Sequence, residues 1–260
     1  MDYQFLEVKT SNFIRVIRLN RPEVRNAFNS TMTFELAKCL QESDGDDAVR
    51  VVILTGSGKG FSSGADIKEG VGLWEKLKSD QSLKRIPDYL VEDFSKPIIA
   101  AINGAAIGFG LTITLSCDIR IAAQSALMSM RFTQVGVIPE AGSPFLLPRI
   151  VGLANALDLS LTAKTIGADE AFRIGLVNYV APDEQLMDKA MEIAAAIASK
   201  PSNAISIAKR SFYDALDCTF KEQRVMEKTN FDRVLGSQDF KGHAENLKKL
   251  AENYKKPDEK

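Results

Sequence analysis

The stretch Pro97-Ile98-Ile99-Ala100-Ala101-Ile102-Asn103-Gly104-Ala105-Ala106-Ile107-Gly108-Phe109-Gly110 decides how this chain is built. No residue from Ile98 to Ser116 is charged, and such a run is close to the minimum for crossing a bilayer. Asn103-Gly104 divides it into a β-rich piece and a glycine-rich piece, each too short to cross alone. The better reading is a buried strand over 97–102, a glycine loop over 104–110 and a short apolar helix.

The same order occurs upstream. Val51-Val52-Ile53-Leu54 reads as a fully buried strand and Gly56 to Gly64 as a glycine-rich loop. Helix is expected somewhere in the charged, weakly patterned stretch from Ile67 to Ser95, without assigned limits. Ile119-Arg120-Ile121-Ala122 is a third strand. Strand, glycine loop and helix in succession, twice, argue for an α/β core with the loops grouped at one end. At the start, Phe5–Val8 and Phe13–Leu19 are strand-like runs separated by Ser11-Asn12, a hairpin signal. Asn29 or Ser30 can cap a helix to about Ser43, with Met32, Leu36, Cys39 and Leu40 at helical spacing.

The last third reads as helices over 154–161, 168–173, 184–199, 203–215, 220–235 and 240–254, with Pro182 and Pro201 marking breaks. We therefore divide the chain into a core over residues 1–198 and a helical region over 199–260. The second piece is too thin to hold much core and is expected to pack on its own domain or on a neighbouring subunit.

Lys and Arg number 33 against 34 Asp and Glu, so no net field draws the chain to nucleic acid or an anionic membrane. An anionic ligand must then be held by a local site. Cys39, Cys117 and Cys218 lack metal-type spacing and leave an odd number, which suits a reducing, cytoplasmic compartment. Met1 to Val8 carries no apolar signal core, so no targeting peptide is expected.

Two phosphate motifs fail. Gly58-Lys59 suggests a P-loop, but Ile53 stands where its first glycine belongs and Gly60 where Ser or Thr belongs. Gly56, Gly58 and Phe61 break the dinucleotide fingerprint at its third glycine. What survives is a pair of loops, Gly60-Phe61-Ser62-Ser63-Gly64-Ala65-Asp66 and Asn103 to Gly110. If each directs one N–H to the same point they form an oxyanion hole, worth several kcal/mol to a developing enolate. The alternative is two tight βα turns. Glu140 is the candidate acid, alone in an uncharged stretch from Thr133 to Pro148. Such a setting tends to desolvate a carboxylate and raise its pKa, as suits a proton carrier. The alternative there is a solvent-facing carboxylate beside a helix dipole.

From Phe5 to about Pro257 the chain resembles the crotonase (enoyl-CoA hydratase/isomerase) superfamily. The resemblance rests on Leu19-Asn20-Arg21-Pro22 with Asn26-Ala27, on Phe61 to Ile67, on Lys96-Pro97 to Gly104 and on Cys117-Asp118. It continues through Gly136 to Gly142, Gly175-Leu176-Val177 and Ser237 to Lys241. It implies an α/β fold, a spiral of ββα units with a C-terminal helical trimerisation region, assembled as homotrimers or homohexamers. It also implies an acyl-CoA substrate, with coenzyme A as part of that substrate rather than a cofactor, and no metal. Ala65 and Phe109 would supply the oxyanion N–H groups. Glu23, Val24 and Arg25, with Ser63, Ala65, Asp66 and Ile67, would line the CoA nucleotide site, and Lys241 could reach its phosphates.

Hydratases of this superfamily use two glutamates, and their positions align here with Thr112 and Phe132. Glu140 instead falls where the Δ3,Δ2-enoyl-CoA isomerase branch places its single catalytic glutamate. The expectation is an isomerase of fatty acid metabolism. The alternatives are a hydratase, a crotonase-type isomerase or hydrolase of a ring-derived CoA thioester, and a CoA-binding module without activity. Among the other residues, His243 is expected at the surface, Asp118 in a structural role and Asp66 as a helix cap. Asp169-Glu170 reads as a first helical turn. Trp74 and Phe94 either line an acyl tunnel or pack in the core.

Overall fold

A computed structural model describes residues 3–66, 68, 86–238, 240–245 and 248. Strands β1 (Leu6–Ser11) and β2 (Ile14–Leu19) pair antiparallel, joined at Asn12 and Phe13, which sit at φ 51° and 65°. Two central residues with positive φ match the twist of a two-residue hairpin. Helix α1 (Ser30–Gly45) starts from Asn29, whose side chain accepts the Met32 amide, and it buries Met32, Leu36, Cys39 and Leu40. The expected N-terminus is thus the capped one.

The remaining chain winds by alternating between two sheets. Strand β3 (Val51–Gly56) lies in the first sheet and β4 (Gly60–Ser62) in the second. Strand β5 (Ile98–Ile102) returns to the first, β6 (Ala105–Ile107) to the second, and helix α3 (Phe109–Leu115) follows after α2 (Ile86–Glu92) earlier in the chain. Strands β7 (Ile119–Ala123) and β8 (Leu127–Ser129) repeat the alternation. Next come α4 (Ser143–Val151), α5 (Leu153–Thr162), β9 (Thr165–Gly167), α6 (Ala168–Arg173) and β10 (Tyr179–Ala181). Among the described residues the sheet orders are β1-β2-β3-β5-β7-β10 and β4-β6-β8-β9. Pairings from β2 to β10 in the first sheet are parallel, and β3 and β5 are buried at every residue. Near-continuous apolar runs are what a sheet covered on both faces requires.

The sequence reading missed the second sheet. Residues 105–107, expected within a glycine loop, form β6 between β4 and β8. Its strands have three residues each, below the length at which periodicity or β-branching gives a signal. Helix α4 was also missed, since Pro144 and Pro148 lie within it; Pro144 is in the first turn, where no amide bond is lost. Of the stretch 67–95, Ile86–Glu92 is helical, while Ile67, Trp74 and the rest of 69–85 lie outside the described residues. No helix among the described residues is long and apolar enough to cross a membrane.

By internal packing the chain divides into Met1–Ala195 and Ala196–Lys260. Helix α7 (Leu186–Ala198) runs through that division. In the second unit α8 (Ser202–Asp214) and α9 (Phe220–Leu235) pack as a pair, with Gln223 and Asn230 bonded to Ser211. A reciprocal Thr219–Glu222 capping box starts α9. Neither helix buries a residue, and Phe212, Phe220, Val225 and Phe231 are exposed.

Candidate active site

The first loop is set by glycine and by one asparagine. A Cβ on Gly56 would overlap the Gly60 and Phe61 backbone, so the chain can fold back to β4 only without a side chain there. Asn26, fully buried at φ 54°, accepts the Arg21 amide at 2.9 Å and donates to the Ser57 and Gly60 carbonyls at 2.9 and 2.8 Å. Ser62 Oγ donates to the Asn26 carbonyl, Ser63 N to Arg25 O and Ser63 Oγ to Val24 O. Val24, Arg25 and Ser63 are thereby brought together, with Glu23 in the same 3-10 turn. Asp66 pairs with Arg21 at 3.0 Å, and its other oxygen accepts the Lys68 amide at 3.1 Å. Arg21 also donates to the Ala27 carbonyl at 2.6 Å, so this ion pair locks residues 21–27 onto the loop.

The second loop interlocks with the first. The Asn103 side-chain oxygen accepts the Gly56 amide at 3.0 Å, and its amide donates to Gly58 O at 3.1 Å. A Cβ on Gly104 would overlap Lys59 O, and one on Gly110 would stand 2.5 Å from Ser62 O. At Gly64, with φ +99°, a Cβ would lie 2.8 Å from Ile107 O and 3.6 Å from Phe109 N, so the loops are pressed together here too. The two loops therefore meet at Gly64-Ala65 and Gly108-Phe109.

Both candidate amides are available there. Phe28 N donates to Gly64 O at 2.8 Å and Asp66 N to Phe28 O at 2.9 Å, in an isolated parallel bridge opposite Ala65. A parallel rung made by the flanking groups turns the N–H of Ala65 to the opposite side. Phe109 is the first residue of α3, where an amide has no intrahelical acceptor; Leu111 and Thr112 already take Gly108 O. Among the described residues neither amide has a backbone acceptor. Phe28, absent from the candidates read in sequence, touches both sides: its ring meets that of Phe109 edge-on, with centroids 5.1 Å apart at 88°.

Glu140 is half-buried at the turn that begins α4, a helix packed against α3. Its carbonyl accepts both the Ser143 amide at 3.0 Å and the Ser143 hydroxyl at 2.7 Å. Ala141 and Gly142 between them have φ 52° and 76°, so the turn holds a non-glycine residue in the left-handed region. The uncharged run before Glu140 is not packed away: Val135 and Ile138 are 68% and 79% exposed. Thr112 and Phe132 are both buried, and among the described residues Thr112 Oγ1 has no hydrogen-bond partner.

The other candidates separate. Asp118 accepts the Ile98 amide at 2.7 Å, a structural role, and Asp169-Glu170 form the first turn of α6. Phe94 is buried against Tyr89. Asp66 turns the chain at Lys68 and pairs with Arg21 as described. Lys241 is an exposed helical residue of the second unit, and His243, expected at the surface, is half-buried. Ile67 lies outside the described residues.

A family model described as enoyl-CoA hydratase/isomerase matches residues 9–258. A probable enoyl-CoA hydratase of Rhodobacter capsulatus is 36% identical over 244 residues, 93% of each chain. A 1,2-epoxyphenylacetyl-CoA isomerase of Escherichia coli is 35% identical over 240 residues, 90% of each. The crystal structure of an enoyl-CoA hydratase from Bacillus anthracis superposes with a TM-score of 0.88 at 36% identity, covering 96% of this chain and 97% of that one. The chain belongs to the enoyl-CoA hydratase/isomerase family, and its two-sheet spiral with C-terminal helices is the crotonase fold.

Proposed function

We propose that this member of the enoyl-CoA hydratase/isomerase family is a Δ3,Δ2-enoyl-CoA isomerase in which Glu140 carries the proton. The observation behind this is the pair of buried positions, Thr112 and Phe132, that lack the carboxylates aligned with them in hydratases. Hydration needs a water activated on one face and a proton delivered with it. Moving a double bond from the 3,4 to the 2,3 position needs one group only. Glu140 takes the proton from C2, and the C–H pair enters an enolate whose oxygen is held by the Ala65 and Phe109 amides. Protonation at C4 by the same carboxyl moves the double bond to C2–C3 and restores the thioester carbonyl. Proton transfer of this kind calls for no metal, nicotinamide or flavin.

The CoA nucleotide is assigned to Glu23, Val24, Arg25, Ser63, Ala65, Asp66 and Ile67. The Ser63 bonds to the Val24 and Arg25 carbonyls support that grouping for the residues described. Exposed Phe212, Phe220 and Phe231 support assembly as a homotrimer or homohexamer, and three cysteines outside any disulfide suit the cytoplasm. A second reading, isomerisation of a ring-derived CoA thioester by the same acid, is favoured by the relative named 1,2-epoxyphenylacetyl-CoA isomerase.

The test offers 3-enoyl-CoA and trans-2-enoyl-CoA in parallel, following formation of the conjugated thioester and its loss to water. Conjugation without hydration is expected, and Glu140→Gln should lower its rate by about 10²–10⁴-fold while acyl-CoA still binds. Rapid hydration would overturn the single-acid reading. Turnover of a ring-derived thioester in its place would favour the second.

A further inference from the structure

We propose that Phe28 is a positioning residue that holds both halves of the oxyanion hole, one through its backbone and the other through its ring. This rests on the reading of the Ala65 and Phe109 amides as the enolate donors. The Ala65 side is held by two bonds, from Phe28 N to Gly64 O at 2.8 Å and from Asp66 N to Phe28 O at 2.9 Å. Among the described residues they form an isolated bridge, and the bonds from Ser63 N to Arg25 O and from Ser62 Oγ to Asn26 O tie the same two segments one step upstream, leaving the Phe28 pair as the one that flanks Ala65. The Phe109 side is held differently. The Phe28 ring stands edge-on to the Phe109 ring, at 5.1 Å and 88°, the geometry in which the positive edge of one ring meets the face of the other. Phe109 is the first residue of α3, so what fixes its side chain also limits how its amide can tilt.

Phe28 is itself anchored. It is fully buried, and the next residue is Asn29, the capping side chain of the sixteen-residue α1. The brace thus connects a long helix to two amides that come from separate turns of the spiral. Oxyanion donors must lie within about 2.7–3.1 Å of the developing charge, and a tolerance near 0.5 Å is what a packed support has to supply.

The experiment uses hexanoyl-CoA carrying ¹³C at the thioester carbon, a saturated acyl group that binds without isomerising. Its carbonyl stretch in the bound state reports hydrogen bonding to the thioester oxygen. In the wild-type protein the band should move to lower frequency than in water. Phe28→Leu keeps both backbone bonds and loses the ring contact, so much of that displacement should vanish. Turnover should fall about tenfold with KM within twofold, since a misplacement of about 1 Å costs on the order of a hundredfold. Phe109→Leu removes the same contact from its other side. The double variant should be no worse than either single one, which a general loss of core packing would not produce.

If the wild-type band is displaced and Phe28→Leu displaces it equally, Phe28 is not the brace and the oxyanion reading stands. If the wild-type band is not displaced at all, both fall together. Should Phe28→Leu fail to fold, Phe109→Leu takes its place, and an undiminished displacement there overturns the ring-to-ring link.

Discussion

Replacing Gly64 by alanine tests whether the two loops act as one device. Gly64 sits at φ +99°, a conformation that costs an L-residue roughly 1–2 kcal/mol. The added Cβ would lie 2.8 Å from Ile107 O, whereas ordinary contact begins at 3.4 Å, so the loops must part by at least 3.4 − 2.8 = 0.6 Å. Ile107 cannot retreat freely: it pairs with Ser129 in the second sheet, and Gly108 N is bonded to Ser129 O at 2.8 Å. The displacement therefore passes to the start of α3, where Phe109 N lies 3.6 Å from the same Cβ. A shift of that size exceeds the tolerance of a preorganised donor pair, and turnover should fall on the order of 10²-fold. Gly175→Ala is the comparison. Its φ is +79°, but its Cβ would meet only Ile150 O, at 3.5 Å, and it lies outside the loops. It carries the backbone strain without the collision, and each kcal/mol lost lowers the melting temperature by about 2–4 °C in a chain of this size. The assay is formation of the conjugated thioester beside thermal unfolding of both variants. Wild-type turnover in Gly64→Ala, with a melting loss no larger than that of Gly175→Ala, would refute the coupling of Gly64 to the Phe109 amide.

Ser143→Ala removes the 2.7 Å bond to the Glu140 carbonyl, and should cost about 1 kcal/mol of stability and several-fold in kcat with KM unchanged, read by melting and steady-state kinetics. Asn26→Ala empties a fully buried position and takes the side-chain partner from the Arg21 amide and the Ser57 carbonyl, while the Gly60 carbonyl keeps only the 3.3 Å bond from Asn103. A loss of about 3 kcal/mol is expected, together with weaker acyl-CoA binding by calorimetry. Thr219→Ala breaks the capping box of α9 and should cost about 1 kcal/mol with kcat unchanged, separating stability of the helical unit from chemistry.

What could be read from sequence follows the strength of local signals. The buried strands 51–54, 97–102 and 119–122 were legible because each is a continuous apolar run, and α1 because its apolar spacing starts from a capping side chain. The second sheet was not, because Gly60–Ser62 and Ala105–Ile107 are strands only by virtue of their pairing with each other. The same cause hid Phe28. In sequence it is one apolar residue between Ala27 and Asn29, and its meaning comes from contacts with Gly64, Asp66 and Phe109, which lie 36 to 81 positions away. Glu140 was legible as a lone acid in an uncharged run, yet that run does not enclose it, since Val135 and Ile138 are exposed. An absence of charge in sequence states composition, and burial depends on what packs there.

The geometry also explains why membership of this family leaves the reaction open. The Ala65 and Phe109 amides are backbone groups, placed by glycines at Gly64, Gly104 and Gly110 that tolerate no side chain and by Asn26 and Asn103 bridging the loops. None of this depends on which acid handles the proton. The positions that hold acids in this family are side chains set apart from those amides: Glu140 is on the turn into α4, Thr112 is one helical turn beyond Phe109 in α3, and Phe132 is just before the 3-10 turn Thr133–Val135. Each can be exchanged without disturbing a hydrogen bond that holds the amides. A carboxylate at Thr112 or Phe132 would, however, enter a buried site, where an unpaired charge is costly. Retaining acids there makes sense only where the chemistry uses both of them. On the proposed single-acid reading, a proton moved along one face of an enolate has no use for the pair, and the neutral, buried Thr112 and Phe132 avoid that desolvation penalty.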